Sequence, residues 1–494
     1  MKKSKGIIKY SILFLFIMLP IIDCLRNTSL KDIDLFGVSI IEIINIVIIG
    51  YTLILSIINF GNNKKYIISL IMYTIILFIY MCLHNFNILN FDTSVFPDSN
   101  INLITESYYI FRVYYMPVLL LFILIKNRDI FNMEFYAKAI KILVCIISLS
   151  IIILNIFKLS YATYGDINDG FVKYNIFDFY KSSGSTKLLV TRGWFDSSNE
   201  ISAVLMMLLP LNIYLLFKEN KKFNMFLYIV QVISMIVLGT RVATFGAMLI
   251  TLVVVFINIY SKIINKDKIN MKFIIWGVLC SSYFFISPIG YHYMNYVEPV
   301  FGSDDEYSET LKTLENDDEI VSYINDNLYY FRIHNSFVEL YSLEGDVEFW
   351  YDVALRDRNL NNDSRVMKTT IIDRIYDRNN NKYDKYLGMG YTMNFMDLER
   401  DYVYQFYLFG ILGLILIVPQ IISFIRTSFG VLKNFKSKNI MGMLILLMSP
   451  ALGFVVAYYS GHVFGWVSPS YILVLGIAIV YYFVNRGSDG YAKS

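Results

Sequence analysis

The stretch GSDDEYSETLKTLENDDE, residues 302–319, decides how this chain is organised. It belongs to a polar segment, 291–400, that carries 22 Asp and Glu residues against 11 Lys and Arg residues and lies between strongly apolar runs. A connection of this length between membrane helices is more often functional than a mere connector. We therefore predict that 291–400 is one large loop domain, the lid or wall of an active site on the outer membrane face.

The residues on either side of this loop are typical of a membrane protein. Of the 494 residues, 56% are hydrophobic, and many apolar runs reach the roughly 20 residues that cross the hydrocarbon of a bilayer. We predict an all-α polytopic membrane protein of about twelve transmembrane helices, with the helices before the loop in 1–290, the extracytoplasmic loop in 291–400, and the last helices and a cytoplasmic tail in 401–494. The predicted spans are 7–24, 35–60, 66–85, 107–125, 139–159, 194–217, 223–239, 242–260, 273–290, 401–425, 440–458 and 469–485.

The connectors between these spans decide their orientation. Lys and Arg residues concentrate in every second connector, beginning with Lys2, Lys3 and Lys5 before the first span. The positive-inside rule then places these connectors and both termini in the cytoplasm, and the large loop outside. Helices that enter from the outside present their N-termini to the outer face, where free N–H groups and the helix dipole favour anions.

The composition argues against several classes of function. The formal net charge of +3 is too small to indicate a nucleic-acid partner. The four cysteines form no CxxC pair and no cluster of metal-ligand residues is present, so we expect neither a metal site nor a cofactor. No P-loop or GxGxxG motif occurs, and no predicted cytoplasmic loop is long enough for a nucleotide-binding domain, which argues against an ATP-driven transporter.

Arg241 lies in the shortest predicted outer connection, Leu238-Gly239-Thr240-Arg241. An Arg at the membrane boundary is often only an anchor whose charge reaches the interface. Here it stands at a helix N-terminus that faces outward, with Thr240 as a candidate cap, and a guanidinium beside free N–H groups suits a pyrophosphate. On the residues alone, both interpretations stay open.

Arg192 and Asn199 flank a similar helix start. Either these two residues belong to a ligand site, or Asp196, Ser197 or Asn199 simply caps the sixth span. By itself the pattern favours capping.

Arg112 lies about one turn inside the fourth predicted span. A lone Arg at mid-membrane depth costs roughly 2.5–3.5 kcal/mol, so its side chain must face a polar interior. An internal ion pair with Glu42 of the second span is the preferred interpretation, and a place in a ligand site is the alternative.

Arg365 stands apart from the acidic majority of the loop. It follows Asp363 and Ser364, which look like the start of a helix, and apolar residues recur after it at helical spacing, among them Met367 and Ile371. We predict an amphipathic helix that packs onto the membrane domain and directs Arg365 toward it.

Together these segments resemble the O-antigen ligase and polymerase family of integral-membrane enzymes, over about residues 190–485. The order and topological placement of the segments carry the resemblance, and in one place the chain departs from it: ligases of the family have a loop His before the span that follows the loop, where this chain has Glu399-Arg400-Asp401. The matching segments are Arg192-Gly193-Trp194-Phe195 to Asn199, Thr240-Arg241, Ser364-Arg365, Gly388-Met389-Gly390, Gly410-Ile411-Leu412-Gly413, and Ser460-Gly461-His462 with Pro469.

The resemblance implies glycosyl transfer on the outer face of a bacterial plasma membrane. The donor would be a polyprenyl-diphosphate-linked glycan and the acceptor a sugar hydroxyl. If the acceptor is another lipid-linked repeat unit, the enzyme is a polymerase of capsule, exopolysaccharide or O-antigen; a different acceptor makes it a ligase. The expected partners are the glycan donor and acceptor, membrane lipids and other polysaccharide-assembly membrane proteins.

The same resemblance assigns roles to individual residues. Arg241 and Arg365 are expected to bind one diphosphate and to stabilise its charge without a metal ion. The general base is expected at Glu399 or Asp401, which occupy the family's catalytic position, with His462 as the alternative. The remaining substrate-binding candidates are Arg192, Asn199 and Arg112.

Two other classes of function compete with this interpretation. A glycosyltransferase that uses a lipid monophosphate sugar would place acidic residues in the first external loop, where Asp32 and Asp34 lie, although that loop has only about ten residues. A polysaccharide flippase would suit twelve spans but not a loop of about 110 residues.

Overall fold

The described part of the chain is almost entirely helical. The computed structural model describes residues 2–25, 34–35, 38–59, 64–97, 99, 101–165, 169–178, 190–219, 221–265, 275, 278–279, 282, 305–391, 398–434 and 440–486. Asp32 and the side chain of Glu42 lie outside the described residues.

The helices fall into three groups along the chain. Before the polar loop come α1 (Lys2–Leu25), α2 (Ile40–Asn59), α3 (Lys64–Ile88), α4 (Leu103–Ile110), a π-helical segment (Phe111–Tyr115), α5 (Met116–Lys126), α6 (Met133–Ile156), α7 (Ser198–Glu219), α8 (Lys222–Leu238) and α9 (Arg241–Asn265). In the loop are α10 (Asp305–Lys312), α11 (Asp317–Asp326), α12 (Asn335–Leu340), α13 (Val347–Leu355), α14 (Arg358–Asn362), α15 (Ser364–Asn379) and α16 (Asp384–Leu387). After it follow α17 (Asp401–Leu416), α18 (Val418–Lys433), α19 (Ile440–Tyr459) and α20 (Val467–Arg486).

Two short antiparallel pairs of strands complete the described secondary structure. The first pair is β1 (Asp34–Leu35) with β2 (Val38–Ser39), and the second is β3 (Tyr161–Ala162) with β4 (Thr191–Gly193).

Eight helices among the described residues are long and apolar enough to cross a membrane, and the bent pair of α17 and α18 would make a ninth. Two of the other predicted spans correspond to shorter apolar helices, Ile43–Ile58 and Lys222–Leu238. The predicted span 273–290 lies almost wholly outside the described residues. The helices therefore indicate a multi-pass membrane protein, whereas the number twelve, the external loop and the cytoplasmic termini stay predictions.

The chain divides into two compact units. The helical unit comprises Met1–Leu77, Tyr108–Tyr296 and Leu416–Ser494, and the loop unit comprises Phe78–Ser107 and Val297–Ile415. The loop unit thus includes the end of α3 and most of α17 in addition to the polar loop. No sequence pattern indicated that association, and the boundaries of the three predicted domains, 1–290, 291–400 and 401–494, stay predictions.

Helix α7 is the centre of the helical unit. Every residue from Glu200 to Leu216 is buried, and α7 packs against α6, α8, α9, α19 and α20. A helix that is apolar on all sides is suited to such a central position. Its few polar side chains bond to neighbouring helices: Asn212 donates a hydrogen bond to Gln231 Oε1 at 2.8 Å.

The loop unit has its own core, built around α13 and α15. The fully buried Trp350 donates its indole N–H to the Tyr341 carbonyl at 3.1 Å. Asp346, just before α13, accepts hydrogen bonds from Arg374 of α15 at 2.7 and 2.9 Å. Burial alone would raise the pKa of Asp346, but the hydrogen bonds from Arg374 and Tyr341, with the charge of Arg374, lower that pKa to about 2.

The helix predicted from Asp363 and Ser364 onward is confirmed as α15, and one of its faces is buried. Its apolar residues are buried, with Met367 and Ile375 completely inaccessible and Ile371 and Ile372 nearly so. The helix contacts α17 within the loop unit, where the Tyr376 and Tyr407 rings meet edge to face at 5.6 Å. Its predicted packing onto the membrane domain stays a prediction.

Candidate active site

The start of α9 is a tight, capped turn that carries an exposed arginine. Gly239 ends α8 in the left-handed conformation (φ 70°), and the Thr163 hydroxyl donates to the Leu238 carbonyl at 2.7 Å, which supports this turn. The Thr240 hydroxyl accepts a hydrogen bond from the Ala243 N–H at 3.2 Å, so the predicted cap is confirmed. Helix α9 begins at the next residue, and the exposed side chain of Arg241 therefore lies beside its first turn.

The start of α7 lies beside the start of α9. The hydroxyls of Ser202 and Thr240 are 2.5 Å apart, which joins the second turn of α7 to the residue that caps α9. Ser197 caps α7 by accepting from the Glu200 N–H at 3.3 Å, so one of the three predicted caps is observed. Two helix N-termini side by side add their partial positive charges. Glu200 is fully buried in the first turn of α7, and no sequence pattern had indicated that this glutamate would be buried.

Arg241 also borders an apolar groove of about 420 Å³ in the helical unit. The groove is lined by residues of α7, α9 and α19, including Met206, Phe245, Leu249 and Val455, and Arg241 is its charged lining residue. Phe245 and Leu249 are about half exposed in the described structure. The groove therefore has an almost wholly apolar wall, and Arg241 is the one charged residue among the described residues on its border.

Arg192 and Asn199 occupy different surroundings. Arg192 is in strand β4 and is 8% exposed, and the strand is held by hydrogen bonds from Asn155 Nδ2 to Thr191 Oγ1 at 3.0 Å and from the Gly193 N–H to Ser160 Oγ at 2.8 Å. Asn199 is the second residue of α7 and is half-buried. The capping role belongs to Ser197, and ligand binding by Arg192 and Asn199 stays a prediction.

Arg112 lies in the π-helical segment, a type of distortion that is frequent at functional sites. Its guanidinium donates to the Gly465 carbonyl at 3.2 Å and lies 4.7 Å from the centre of the Tyr109 ring. These contacts satisfy the expectation that Arg112 faces polar groups inside the unit. Its predicted pairing with Glu42 cannot be followed, since the Glu42 side chain lies outside the described residues.

His462 lies in the turn between α19 and α20. Its side chain is 7% exposed, its backbone has a positive φ of 62°, and its ring lies 5.9 Å from the Trp466 ring. For a residue other than glycine such a conformation is uncommon and is found most often where the surroundings impose it. The turn therefore holds His462 in one orientation within the helical unit.

In the loop unit, Arg365 is paired with the predicted base. Asp363 caps α15 by accepting from the Arg365 N–H at 2.9 Å, so that the Arg365 side chain leaves the first turn of the helix. Its Nε donates to the carboxylate of Glu399 in a short ion pair. Both side chains are partly exposed, at 31% and 23%. The structure thus brings together two residues to which the sequence assigned separate roles, while Asp401 follows as the buried first residue of α17.

Two glycine segments of the loop unit form one structure, which we call the glycine junction: Leu387–Gly390 against Tyr407–Gly410. The N–H groups of Met389 and Gly390 donate to the carbonyls of Tyr407 and Leu408 at 2.9 and 3.0 Å. Helix α17 breaks at Gly410 (φ 63°, ψ −173°), which frees these carbonyls from the helix. A Cβ on Gly388 would lie 2.1 Å from the Leu408 oxygen, so only glycine permits this approach.

Side chains of α3 hold the junction from one side. The Tyr80 hydroxyl donates to the Phe409 carbonyl at 2.7 Å, and Asn87 Nδ2 donates to the Gly388 carbonyl at 2.8 Å. His84 donates from Nδ1 to the Leu387 carbonyl at 2.6 Å, since a carbonyl can only accept. Its Nε2 lies 2.8 Å from Glu106, and both residues are fully buried.

His84 and Glu106 were not predicted as site residues. Glu106 also accepts two hydrogen bonds from the Tyr391 N–H, at 2.8 and 2.9 Å, so it binds the chain directly after Gly390. The only available sequence signal was a histidine and a glutamate near the ends of apolar segments. Their role in the described structure is to position the glycine junction.

Comparison with known proteins identifies the family. The model of the O-antigen ligase-like membrane proteins matches residues 8–485, nearly the whole chain. The chain belongs to that family. Neither the curated proteins nor the solved structures contain a match. Membership implies transfer of glycans in polysaccharide assembly at a membrane, from lipid-linked substrates.

Two motifs that resemble those of the family meet in the glycine junction. The segments Gly388–Gly390 and Gly410–Gly413 resemble two separate motifs of the family. In the structure, Gly388 lies against the backbone of Leu408 and Phe409, just before Gly410. Likewise the Ser364-Arg365 motif is an N-terminal turn of α15 that holds a guanidinium against Glu399. Within the described residues, no group of three or more His, Cys, Asp and Glu side chains is arranged to hold a metal ion.

Proposed function

We propose that this member of the O-antigen ligase-like family is a polysaccharide polymerase. It transfers a growing glycan from a polyprenyl diphosphate to a hydroxyl of a second lipid-linked repeat unit, on the outer face of the plasma membrane. The observation that carries the proposal is the position of Arg241, at a capped helix start and at an apolar groove.

The donor has two parts that need opposite surroundings. Its polyprenyl chain is apolar, and the groove beside α9 offers an apolar wall that includes Phe245, Leu249 and Val455. Its diphosphate is anionic, and the guanidinium of Arg241 with the N-terminal turn of α9 offers charge and N–H donors. The proximity of both surroundings to one residue supports a lipid diphosphate as the donor.

The ion pair of Arg365 with Glu399 supports a coupled transfer step. A phosphate oxygen competes with the Glu399 carboxylate for the guanidinium, and the exchange of partners releases that carboxylate. The acceptor oxygen then attacks the anomeric carbon as the bond from that carbon to the diphosphate breaks. The bonding electrons leave with the diphosphate, whose charge a guanidinium stabilises, and the acceptor proton passes to Glu399.

Two other residues stay candidates for the base. Asp401 is 3% exposed at the first position of α17, and His462 is held in a buried turn of the helical unit. Glu399 is preferred because its release is coupled to occupation of Arg365 by an anion.

The test is synthesis of polymer by the purified full-length protein in liposomes that contain only lipid-linked repeat units. A ladder of lengthening products supports the polymerase. A ligase would need a chemically different acceptor and would give no ladder under these conditions, and a flippase would move the repeats across the membrane without joining them.

Arg426→Ala is the matched control for Arg241→Ala. Arg426 is also an exposed Arg of the helical unit, in α18 and outside the groove. The ladder should disappear in Arg241→Ala and persist in Arg426→Ala. Equal ladders in both variants would refute the role of Arg241.

A further inference from the structure

A second cavity of about 520 Å³ lies in the loop unit. Basic and neutral polar side chains dominate its lining, among them Arg332, His334, Asn361, Ser364 and Lys368, and none of the lining residues is acidic. This composition is unexpected in a segment that carries twice as many acidic as basic residues. The cavity is therefore a local positive region in an acidic domain.

One wall of the cavity is rigid. Asn361 is 1% exposed, and its amide donates to the carbonyls of Phe331 and Val353, both at 2.9 Å. Its Oδ1 accepts from Arg356 Nε at 2.6 Å. The amide thus uses both of its N–H groups and one lone pair of its oxygen to join three segments of the loop unit, and the wall exists before any ligand binds.

The cationic side chains are also oriented. Arg332 has a positive φ of 55°, and its guanidinium donates to Asn359 Oδ1 at 2.9 Å. His334 Nδ1 accepts from the Ser336 N–H at 3.2 Å, so a neutral ring carries its proton on Nε2 and can act as a donor there. Lys368 follows Ser364 by one turn of α15.

The cavity is next to the proposed transfer site. Ser364 immediately precedes Arg365, and Lys368 is three residues beyond it on the same helix, so the cavity and Arg365 share one helical turn, about 5 Å in length. That length is close to the size of one sugar ring. A glycan residue in the cavity would have a neighbouring residue of the same chain near Arg365 and Glu399.

From this arrangement we infer that the cavity is an acceptor subsite that binds an acidic sugar residue. A carboxylate or phosphate substituent of the sugar is bound by Arg332 and Lys368, and its hydroxyls bond to Ser364 and the Nε2–H of His334. Only the assignment of the cavity to the acceptor, and not the binding of an acidic sugar, rests on the proposed function. The binding itself needs no transfer reaction and is tested separately.

The test is calorimetric titration of the full-length protein in nanodiscs with matched pairs of oligosaccharides. One pair is tetragalacturonate and its methyl ester, which differ only in the charge of the carboxyl groups. The other pair is maltotetraose with and without one phosphate group. We expect at least one acidic member to bind about tenfold more tightly than its neutral counterpart, and the better pair tells a carboxylate from a phosphate.

Variants test whether the preference for acidic ligands comes from this cavity. Arg332→Asn keeps a residue that tolerates positive φ, and Lys368→Gln removes only a charge; each should weaken binding of the acidic ligand about fivefold or more and leave the neutral one unchanged. Lys382→Gln, an exposed lysine of the loop unit outside the cavity, should bind like the unaltered protein. Lys368→Arg, which keeps the charge, should retain the preference, and size-exclusion profiles establish that each variant is folded.

The outcomes separate this inference from the proposed function. Arg365→Ala should abolish transfer and still bind the acidic oligosaccharide, because Arg365 does not line the cavity. Equal binding of acidic and neutral ligands, or an acidic preference that survives both Arg332→Asn and Lys368→Gln, overturns the subsite. A failure of polymer synthesis with the acidic preference intact overturns only the proposed function.

Discussion

Arg241 and Arg365 both stand at the first turn of a helix, yet their surroundings are opposite in character. Arg241, in the helical unit, is exposed and borders an apolar groove, whereas Arg365, in the loop unit, is held by the carboxylate of Glu399. A helix start supplies N–H donors in both places, so that feature cannot distinguish their functions. The neighbours do: Arg241 lies beside apolar side chains that suit a lipid chain, and Arg365 lies beside a carboxylate that can take a proton.

The largest expected effect is on transfer itself. Arg241→Ala and Arg365→Ala should each reduce the rate of polymer formation by about 100-fold or more, since each removes a guanidinium to which the proposed function assigns a phosphate contact. Arg→Lys should restore little, because the forked geometry of the guanidinium is lost. Both variants should still accumulate in the membrane, as quantified by immunoblot beside Arg426→Ala. Near-normal polymer length in either alanine variant would contradict the role assigned to that arginine in transfer.

The two arginines should differ in how much each contributes to binding of the lipid diphosphate. Because Arg241 borders the groove, Arg241→Ala should weaken retention of a polyprenyl diphosphate that carries no sugar, as measured by co-purified lipid. Arg365→Ala should alter retention less, since the ion pair must first be broken before Arg365 can contribute. Equal loss of lipid in both variants would erase the distinction drawn between the two regions.

The next effect concerns the proton acceptor. Glu399→Gln should lower the transfer rate by about 100-fold while the donor remains bound, because the amide cannot take a proton. Asp401→Asn and His462→Ala, compared in the same assay, should lower the rate less. If Asp401→Asn or His462→Ala has the larger effect, the base is that residue. Unchanged rates in all three would mean that no side chain of this set acts as the base.

The glycine junction predicts a structural effect of intermediate size. Gly388→Ala and Gly410→Ala force a side chain onto backbone that only glycine commonly adopts, at a cost of about 1–3 kcal/mol before the close contacts are counted. Each should lower the melting temperature and the yield of folded protein. Gly345→Ala is the control, because its Cβ would meet other atoms only at 3.5 Å. Equal melting temperatures for Gly388→Ala and Gly345→Ala would contradict the described approach.

The smallest expected effect is on the pH dependence of stability. The pKa of Asp346 is lowered to about 2 in the folded protein, so its pairing stabilises the fold above the ordinary carboxyl range, and this contribution is lost as the pH falls from about 4 toward 2. Arg374→Gln should lower the melting temperature at pH 7 and flatten the decline over that window. Lys312→Gln, which breaks the exposed pair with Glu309, should change little. A decline as steep in Arg374→Gln as in the unaltered protein would contradict the assignment to Asp346.

Several local features could be predicted from the sequence because they depend on interactions between residues that are close together in the chain. The buried face of α15 follows from apolar residues at helical spacing, as Met367, Ile371 and Ile375 illustrate. The cap at Thr240 follows from a hydroxyl one position before a helix. Each of these depends on residues within about two turns of one another. The family resemblance followed from the order of such short segments and is confirmed by the match over 8–485.

What the sequence alone determined is therefore the character of the protein: its apolar helices, its polar loop, its capped helix starts and its family. What only the tertiary structure decided is which distant groups meet. Arg365 and Glu399 are 34 positions apart, and His84 reaches a carbonyl 303 positions away. Such pairs depend on how the whole chain packs, because a side chain's neighbours across a core leave no regular spacing in the sequence. The positive cavity beside Ser364 likewise depends on tertiary packing, since its lining joins separate stretches of a mostly acidic loop.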